Sequence, residues 1–520
     1  MIVNMNWQAN VSSSAVKNTL MFSTTALWEI HNSQMIDLCY SELNLGNSVF
    51  LYSCDFSIFS CRTNPEHLVS RCKICVRQSK RNENKLLPTG VLKIRVPSSK
   101  VLPVPKDSFR LDTHKQMLEF TYWGFEFGRS VISQLQTVLK ESEIDDYHIK
   151  NKGNQILGNA ISLYHFFLSE LKARDIKKVF VFGGRYAAER ALIFASKYAA
   201  VPFETFETGS AVDKIWLSNV GETSFDSYVL DIQKSQSQFD EVQRKELKLV
   251  GKDFFIDWRN GTSKDPKYLN PNLRLREGKS GFDALRCKIG RGSEKKHLTI
   301  FTSTNYEFLA FDDFKILDSD DYSQFDVIRM LNDSDELLSA YFITVRWHPN
   351  SQNSGANDQK AIQECINSTP RLNHILSSAG ADSYALIESS DVIASFGSTI
   401  GVEAAAMGKP SIVLAKCSYS NLEATYEPRD FQEFLRILFS PALESKSEQA
   451  FMWGYWRSTF GQRLKFVKYK EANQFFVNDI RVVSLYSRSI DKYNLFRHIA
   501  KSSLLKLSKS FRFKKGEGIR

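Results

Sequence analysis

A glycine, two hydroxyl residues and a glutamate stand close together in residues 389–416, SSDVIASFGSTIGVEAAAMGKPSIVLAK. The apolar run before Gly397 predicts a strand, and the residues from 400 to 407 predict a helix. Ser398 and Thr399 would then offer hydroxyls and backbone N–H groups at the positive end of that helix, where a diphosphate binds favourably. Glu403 can accept hydrogen bonds from the cis hydroxyls of a ribose. The spacing therefore suits a nucleotide, although a plain tight turn with a helix cap and a solvated Glu403 explains the same residues.

Strands and helices alternate along most of the chain. One strand–helix–strand unit covers about 20–53, and a second runs from the apolar stretch Val179–Phe182 through a helix at Tyr186–Tyr198 to a strand at Pro202–Phe206. A third series fills about 290–440. This alternation predicts an α/β protein with parallel, doubly wound sheets. We expect two Rossmann-like domains facing across a cleft, with extra helices and a basic C-terminal tail.

Length and composition suggest where the domains divide. A chain of 520 residues is too long for one core. The strand–helix rhythm is lost over 232–290, where turn-forming residues accumulate, and this predicts a peripheral segment. We therefore predict an N-terminal domain over 1–290, a C-terminal domain over 291–445, and helices followed by a basic tail over 446–520, with helix across 446–478.

The segment SDVIASFGSTIGVEAAAMGKPSIVL resembles the donor-binding segment of GT-B glycosyltransferases, most closely the bacterial capsule and O-antigen (surface polysaccharide) group. Related segments occur in UDP-N-acetylglucosamine 2-epimerases and in the glycerophosphotransferases of teichoic acid synthesis. Further matching pieces follow in the same order along the chain, namely FVFGGRYAAERA at 180–191, FETG at 206–209, FTSTNYEF at 301–308 and VRWHPN at 345–350. The resemblance implies a nucleotide-sugar bound mainly by the C-terminal domain.

The resemblance also implies roles for individual residues. Ser398 and Thr399, with Gly397, would bind the donor diphosphate, and Glu403 would bind the ribose. Ser303 and Thr304 would line the same cleft. His348 would lie near the phosphates, where a neutral or protonated imidazole can donate to a phosphate oxygen and help the nucleoside diphosphate leave; a structural turn histidine is the alternative. Arg346 would be either a phosphate ligand or part of a buried ion pair.

An inverting transfer also needs a base for the acceptor hydroxyl. His31, Glu29, Glu207 and Asp55 all stand near predicted strand ends in the N-terminal domain. Glu207 matches the Glu-x-Gly position of the resembled family and ranks first, and His31, between the first strand and first helix, ranks second. Either is explained equally by a cap or a surface group. Gly183 departs from the asparagine that the family favours there.

These features predict a metal-independent glycosyltransferase of cell-surface polysaccharide assembly. Its donor would be a nucleotide-sugar and its acceptor a glycan or a polyprenol-linked glycan. A 2-epimerase-type isomerase is one alternative, and it would turn over a UDP-sugar without an acceptor. A non-catalytic nucleotide- or glycan-binding assembly protein is the other, and it would bind without turnover.

Half of the eight cysteines fall within 54–75, at Cys54, Cys61, Cys72 and Cys75. Four thiolates can close a tetrahedral structural zinc site, although small buried hydrophobic groups and reduced thiols explain them equally. Basic residues surround this cluster, which suits phosphate or an anionic acceptor; they are Arg62, Arg71, Lys73, Arg77 and Lys80.

The net charge of +10 favours an anionic partner. No aromatic RNA-binding signature or arginine–glycine box is present, so nucleic acid is not expected. The C-terminal residues from 493 onward combine leucines with eight cations, a composition suited either to an anionic membrane interface or to a terminal helix or tail. Without a secretory-type start or a long apolar run, the chain is predicted to be cytoplasmic, at the inner face of the cell membrane.

Overall fold

A computed structural model of the chain describes residues 16–24, 26–97, 109–219, 224–262, 295–309, 314–319, 322–379, 382–470 and 474–482. The predicted basic tail beyond residue 482 and the whole of the segment 263–290 lie outside these residues. The chain forms two compact units, unit 1 from residues 1–98 and 464–520 and unit 2 from residues 99–463.

The strands, in chain order, are β1 Asn18–Ser23, β2 Ser48–Asp55, β3 Leu92–Pro97, β4 Ile176–Phe182, β5 Phe203–Thr208, β6 Lys214–Ser218, β7 Lys296–Phe301, β8 Tyr341–Arg346, β9 Asn373–Ile375, β10 Val392–Ser395, β11 Ser411–Val413, β12 Gln462–Arg463, β13 Lys468–Lys470, β14 Gln474–Val477 and β15 Ile480–Val482. The helices are α1 Glu29–Asn44, α2 Val69–Lys85, α3 His114–Leu118, α4 Phe127–Leu139, α5 Asp146–His148, α6 Asn154–Ala173, α7 Ala187–Tyr198, α8 Phe225–Ser237, α9 Glu241–Asn260, α10 Asn305–Phe308, α11 Gln324–Asp333, α12 Asp335–Ala340, α13 Ala356–Ser368, α14 Ser383–Ser389, α15 Ile400–Ala406, α16 Phe431–Leu438 and α17 Ser447–Thr459. A π-helical turn, Ile149–Gly153, joins α5 to α6.

Unit 1 contains the parallel ladder β1–β2–β3, in which β1 and β2 are almost wholly buried apolar runs. Phe466 and Val467 also belong to this unit, because the Asp37 carboxylate on α1 accepts their N–H groups at 2.6 and 2.9 Å. Strands β13–β15 follow as an antiparallel meander. The prediction of helix across 446–478 is therefore wrong beyond α17, since the alternating residues 474–477 form a strand with Phe475 and Val477 inward.

In unit 2, β4, β5, β6 and β12 stand in the order β12-β6-β5-β4. β4 and β5 are parallel, but β5–β6 and β6–β12 are antiparallel. The expected all-parallel sheet is thus wrong at this edge. The link from Thr208 to Lys214 is too short for a crossover connection, which takes a dozen or more residues.

The second sheet of unit 2 has five parallel strands in the order β11-β10-β7-β8-β9. When β7 to β11 are numbered 1 to 5 and the sheet is read from the β9 edge, the order is 3-2-1-4-5, which is the Rossmann order. Its core packs buried residues of β7, β8 and β10 against α11 and α16, among them Ile300, Val345 and Phe434. The α/β class with Rossmann-like parallel sheets is confirmed.

Helices α8 and α9 cover the described part of the segment 232–290, which was predicted to be peripheral. Phe254, Phe255 and Trp258 on α9 share a core with Trp453 of α17. Helices α9 and α17 cross at Gly251 and Gly454, where a Cβ on Gly251 would lie 1.7 Å from the Phe451 carbonyl oxygen. The aromatic face of α9 is therefore part of a core, and the described part of this segment belongs to unit 2. Among the described residues, no helix is both long and apolar enough to cross a bilayer.

Candidate functional site at the carboxyl edge of the second sheet

The order of the second sheet reverses between β7 and β10, which are hydrogen-bonded neighbours. In an open parallel sheet this reversal opens a crevice at the carboxyl ends of the two strands, where ligands bind. The two loops that leave this point are residues 302–304 after β7 and residues 396–399 after β10. Both were singled out by sequence.

Backbone hydrogen bonds hold the neighbouring strand-end loops together. The Thr302 N–H donates to the Arg346 carbonyl at 3.1 Å, and the Phe396 N–H donates to the Phe301 carbonyl at 3.1 Å. The His348 N–H donates to Thr302 Oγ1 at 2.9 Å. The structure thus gathers on one sheet edge all the residues predicted for the donor side, namely Ser303, Thr304, Arg346, His348, Gly397, Ser398, Thr399 and Glu403.

Ser303 has an unusual environment in this group. Its backbone is fixed by Gln324, whose side-chain oxygen accepts from Ser303 N–H and whose amide donates to Ser303 carbonyl, both at 3.2 Å. The residue is 3% exposed, yet its hydroxyl has no hydrogen-bond partner among the described residues. A buried hydroxyl without a partner costs about 1–3 kcal/mol. Its neighbour Thr304 is satisfied by Glu307 at 3.1 Å.

The turn before α15 is shaped by two glycines. Gly397 has φ of +76°, which favours glycine, and a Cβ there would lie 3.2 Å from the Lys416 carbonyl oxygen. At Gly401 a Cβ would lie 2.5 Å from Tyr419 Oη and 2.7 Å from Ser395 Oγ. Tyr419 is fully buried and donates its hydroxyl to the Ser398 carbonyl. Because Gly401 has no side chain, Tyr419 can approach closely and hold the turn through its hydrogen bond to the Ser398 carbonyl.

Glu403 is the fourth residue of the seven-residue helix α15 and is 5% exposed. Its Oε1 accepts from the Thr399 hydroxyl at 2.9 Å and its Oε2 from the Tyr384 hydroxyl at 2.5 Å. Burial raises the pKa of Glu403, and these two hydrogen bonds oppose the shift. The alternative reading of Glu403 as a solvated helix residue is therefore wrong. The ribose contact stays a prediction, and each carboxylate oxygen retains a further acceptor position for it.

His348 caps the short turn Pro349–Asn353, because its Nδ1 accepts the Asn350 N–H at 3.2 Å. Nδ1 is then unprotonated and Nε2 carries the proton of the neutral ring. Burial, with a smaller contribution from the Arg346 charge, lowers the pKa of His348 to about 4. Near neutral pH the imidazole is therefore a neutral donor and not a cation.

Arg346 ends β8 and is 4% exposed. Its Nη1 donates to the carbonyls of Trp347 at 3.2 Å and Leu376 at 2.5 Å, which ties the end of β8 to the residue after β9. Burial lowers its pKa, although an arginine remains charged at neutral pH. This places a buried positive charge next to the His-Pro loop.

Glu207, the first-ranked base, lies within β5 and is half-buried. A Cβ on Gly183 would lie 2.8 Å from its Oε1, so the departure from asparagine at 183 leaves room for this carboxylate. The charges of Glu207, Arg185 and Arg457 all influence the pKa of Tyr228, which places these groups close to one another. Glu207 belongs to the other sheet of unit 2, while His31 belongs to unit 1.

His31 lies in the first turn of α1, with Nδ1 3.1 Å from Gln34 Oε1 and its ring against Trp28. Burial lowers its pKa to about 4. A ring that is neutral near pH 7 can act as a base, so this second-ranked candidate stays a prediction.

The four clustered cysteines surround a small cavity, about 30 Å³, beyond the carboxyl ends of β1 and β2. All four are free thiols, and burial raises the pKa values of Cys61, to about 11, and of Cys72 and Cys75. Zinc binds thiolates, which such burial disfavours. Within the described ranges no three His, Cys, Asp or Glu side chains are placed to hold a metal ion. The zinc site therefore stays a prediction, with buried reduced thiols as its alternative.

Three residues of the donor-side group were missed by sequence reasoning: Gln324, Tyr384 and Tyr419. Each comes from a separate element and reaches the strand-end loops only in the folded chain. Gly401 was the one local signal, because a glycine within a short helix of small residues marks a close approach.

Comparison with known proteins gives fold-level similarities only. No family model matches the chain, and no curated protein sequence does. One similar solved structure is KpsC of Thermosulfurimonas dismutans, described as a β-Kdo 2,7 transferase, with 14% identity, a TM-score of 0.30, and coverage of 55% of this chain and 78% of that one. Another is a putative UDP-N-acetylglucosamine 2-epimerase of Listeria monocytogenes, with 10% identity, a TM-score of 0.26 and coverage of 84% and 91%. A third is MurG of Acinetobacter baumannii, with 9% identity, a TM-score of 0.25 and coverage of 86% and 96%.

Proposed function

We propose that the protein is a glycosyltransferase that takes a sugar from a nucleotide-sugar donor, bound at the carboxyl edge of the second sheet. The observation that carries this proposal is the Ser303 hydroxyl, buried and without a partner among the described residues, beside the point where strand order reverses. A phosphate oxygen is the acceptor that this donor lacks. The resemblance of residues 390–414 to GT-B donor segments supports the same reading.

The donor side divides into groups for phosphate and for ribose. Ser303, the N–H groups of the turn at 398–399 and the neutral His348 donate to phosphate oxygens, with the charge of Arg346 nearby. Glu403 accepts from ribose hydroxyls, and Tyr384 and Thr399 hold its carboxylate in place. A leaving nucleoside diphosphate gains negative charge during transfer, so fixed donors of this kind stabilise the transition state.

On the acceptor side, Glu207 is the proposed base, and a glycan or polyprenol-linked glycan is the proposed acceptor. The reaction belongs to cell-surface polysaccharide assembly at the inner face of the cell membrane. No metal is assigned to the transfer step. These assignments follow the family resemblance and the position of Glu207 beside Gly183.

The binding proposal is tested with Ser303→Ala in a thermal-shift and calorimetric screen against UDP-, GDP-, CMP- and dTDP-sugars. Removing an unpaired buried hydroxyl should leave the free protein as stable as before or slightly more stable. The affinity for the best ligand should nevertheless fall about five- to tenfold, by the roughly 1 kcal/mol of one hydrogen bond. Thr425→Ala is the matched control, because Thr425 also has a buried hydroxyl without a partner among the described residues. Equal ligand affinity in the Ser303→Ala and wild-type proteins would refute the assignment.

The reaction class is tested with the tightest-binding donor and extracted lipid-linked glycans. Transfer that depends on acceptor, and that Glu207→Gln abolishes while donor affinity is unchanged, supports the proposal. Conversion of a UDP-sugar to its epimer without acceptor indicates an isomerase. Binding without turnover against every acceptor indicates an assembly protein.

A further inference from the structure

The outward face of α2 in unit 1 carries a continuous row of cations. The helix runs from Val69 to Lys85, and its solvent-facing arc includes Lys73, Arg77 and Lys80, with Arg81 and Lys85 at the flank. At 1.5 Å per residue the row from Lys73 to Lys85 is about 18 Å long. The opposite arc is buried and includes Gln78, Ser79 and Asn82.

These charges are not balanced within the helix. The single acidic residue of α2, Glu83, is buried and accepts hydrogen bonds from Arg95 on β3 and from Ser79. In the part of the chain that the structure describes, Lys73, Arg77 and Lys80 form no ion pair. An uncompensated row of this length attracts a polyanionic surface.

Apolar side chains are exposed at the start of the same face. Val69 is 57% exposed and Leu68, immediately before the helix, is 49% exposed. With 100° per residue, Val69, Lys80, Lys73 and Arg77 fall within an arc of about 80°. Exposed aliphatic groups beside cations match the boundary between lipid headgroups and acyl chains, whereas a dissolved polyanion offers them no apolar partner.

We propose that this surface, Leu68, Val69 and the cationic row of α2, docks the protein on an anionic phospholipid bilayer. The cations would lie against acidic headgroups, and the two aliphatic side chains would enter the headgroup region. This interaction is independent of the proposed nucleotide site, so either can fail without the other. It is also distinct from the basic residues after 482, which lie outside the described part of the chain.

The test is co-sedimentation of the full chain with vesicles of phosphatidylcholine containing 30% phosphatidylglycerol. The triple variant Lys73→Glu, Arg77→Glu, Lys80→Glu should partition at least about 100-fold more weakly, since each cation near an anionic leaflet contributes about 1 kcal/mol and about 1.4 kcal/mol is a factor of ten. The matched control, Lys245→Glu, Lys252→Glu, Lys360→Glu, changes the charge equally at other exposed helix positions. Wild-type partitioning by the triple variant would overturn the proposal.

A second variant separates a bilayer from a soluble polyanion. Leu68→Ser with Val69→Ser leaves every charge in place and should weaken vesicle binding about tenfold, while binding to dextran sulfate stays unchanged. Vesicle binding unaffected by this variant would mean that charge alone acts, and would overturn the bilayer assignment. Because both positions are exposed, circular dichroism and nucleotide-sugar affinity should match those of the wild-type protein in either case.

Discussion

Replacement of Gly401 by alanine tests whether the turn at 397–401 is held as the structure indicates. The new Cβ would lie 2.5 Å from Tyr419 Oη and 2.7 Å from Ser395 Oγ. Ordinary carbon–oxygen contacts are nearly 1 Å longer, so either α15 or Tyr419 has to move. Both are packed in the core beneath the site, where Tyr419 is fully buried.

The expected cost combines three effects. Overpacking in a close-packed core costs about 1–3 kcal/mol. Displacing Tyr419 from the Ser398 carbonyl removes a hydrogen bond of about 1 kcal/mol. Alanine is the better helix former by about 1 kcal/mol, which offsets part of this. The free energy of unfolding should therefore fall by about 2 kcal/mol.

The assay is urea denaturation of a double-mutant cycle with Tyr419→Phe, which removes the atom that the new methyl group would meet. Alanine at 401 should cost about 1 kcal/mol less in the Tyr419→Phe background than in the wild type, a coupling of the size found for contacting residues. Gly158→Ala is the control, since a Cβ there meets nothing within 4 Å on α6. That variant should be stabilised by about 0.5–1 kcal/mol.

Nucleotide-sugar binding is measured on the same variants. A displaced turn should weaken binding of the best donor in Gly401→Ala, and the double variant should recover part of it. If Gly401→Ala unfolds like Gly158→Ala, and the cycle shows no coupling, then Tyr419 does not support the turn and the geometry described for the site is wrong.

Three further predictions address the crossing of α9 and α17, the hydrogen bonds between Asp358 and Ser142, and the response of stability to acid. Gly251→Ala should lower the urea midpoint strongly or prevent folding, because its Cβ would lie 1.7 Å from the Phe451 carbonyl oxygen where α9 crosses α17; normal stability would refute that crossing. Asp358→Asn should lower the free energy of unfolding by about 1–3 kcal/mol, since the Asp358 carboxylate accepts both the N–H and the hydroxyl of Ser142, at 2.9 and 2.8 Å. A variant as stable in urea as the wild type would contradict this. The pKa of His348 is lowered to about 4, so the unfolded chain binds the proton at a higher pH than the folded chain, and stability falls as the pH drops from about 6.5 towards 4. In urea titrations over that window, the His348→Asn variant should lose up to about 3 kcal/mol less of its free energy of unfolding than the wild type. An identical pH profile of the two proteins would refute the shift.

The second sheet was the most predictable part of the fold because its strands are short apolar runs that end in Gly, Ser, Thr or His-Pro. Local composition marks such ends directly. The antiparallel β6 was missed because strand direction depends on the length of the Thr208–Lys214 link, which apolar patterning does not report. The meander over 468–482 was missed because exposed Lys468 and Lys470 hide its alternation.

Contacts between residues distant in sequence explain other features that local patterns do not report. α9 was assigned to a peripheral segment because its aromatic face packs against residues distant in sequence, among them Trp453 of α17, nearly 200 residues later. The cysteine spacing suggested zinc, but whether four thiols meet at one point depends on the path between 54 and 75. Tyr384 and Tyr419 had no local signal at all, since a tyrosine takes on a role at the site only when the fold brings it to Glu403 or Ser398.

The donor-side edge concentrates polar and charged groups in buried positions. Ser303 has a buried hydroxyl without a partner among the described residues, Arg346 is a nearly buried cation with a lowered pKa, and Glu403 is a buried carboxylate with a raised pKa. Each of these environments disfavours the folded protein on its own. A ligand that carries phosphate oxygens and vicinal hydroxyls would supply the acceptor that Ser303 lacks among the described residues and further donors for Glu403. Such strain at one sheet edge is expected of a site whose polar groups are completed by a ligand and not by the protein.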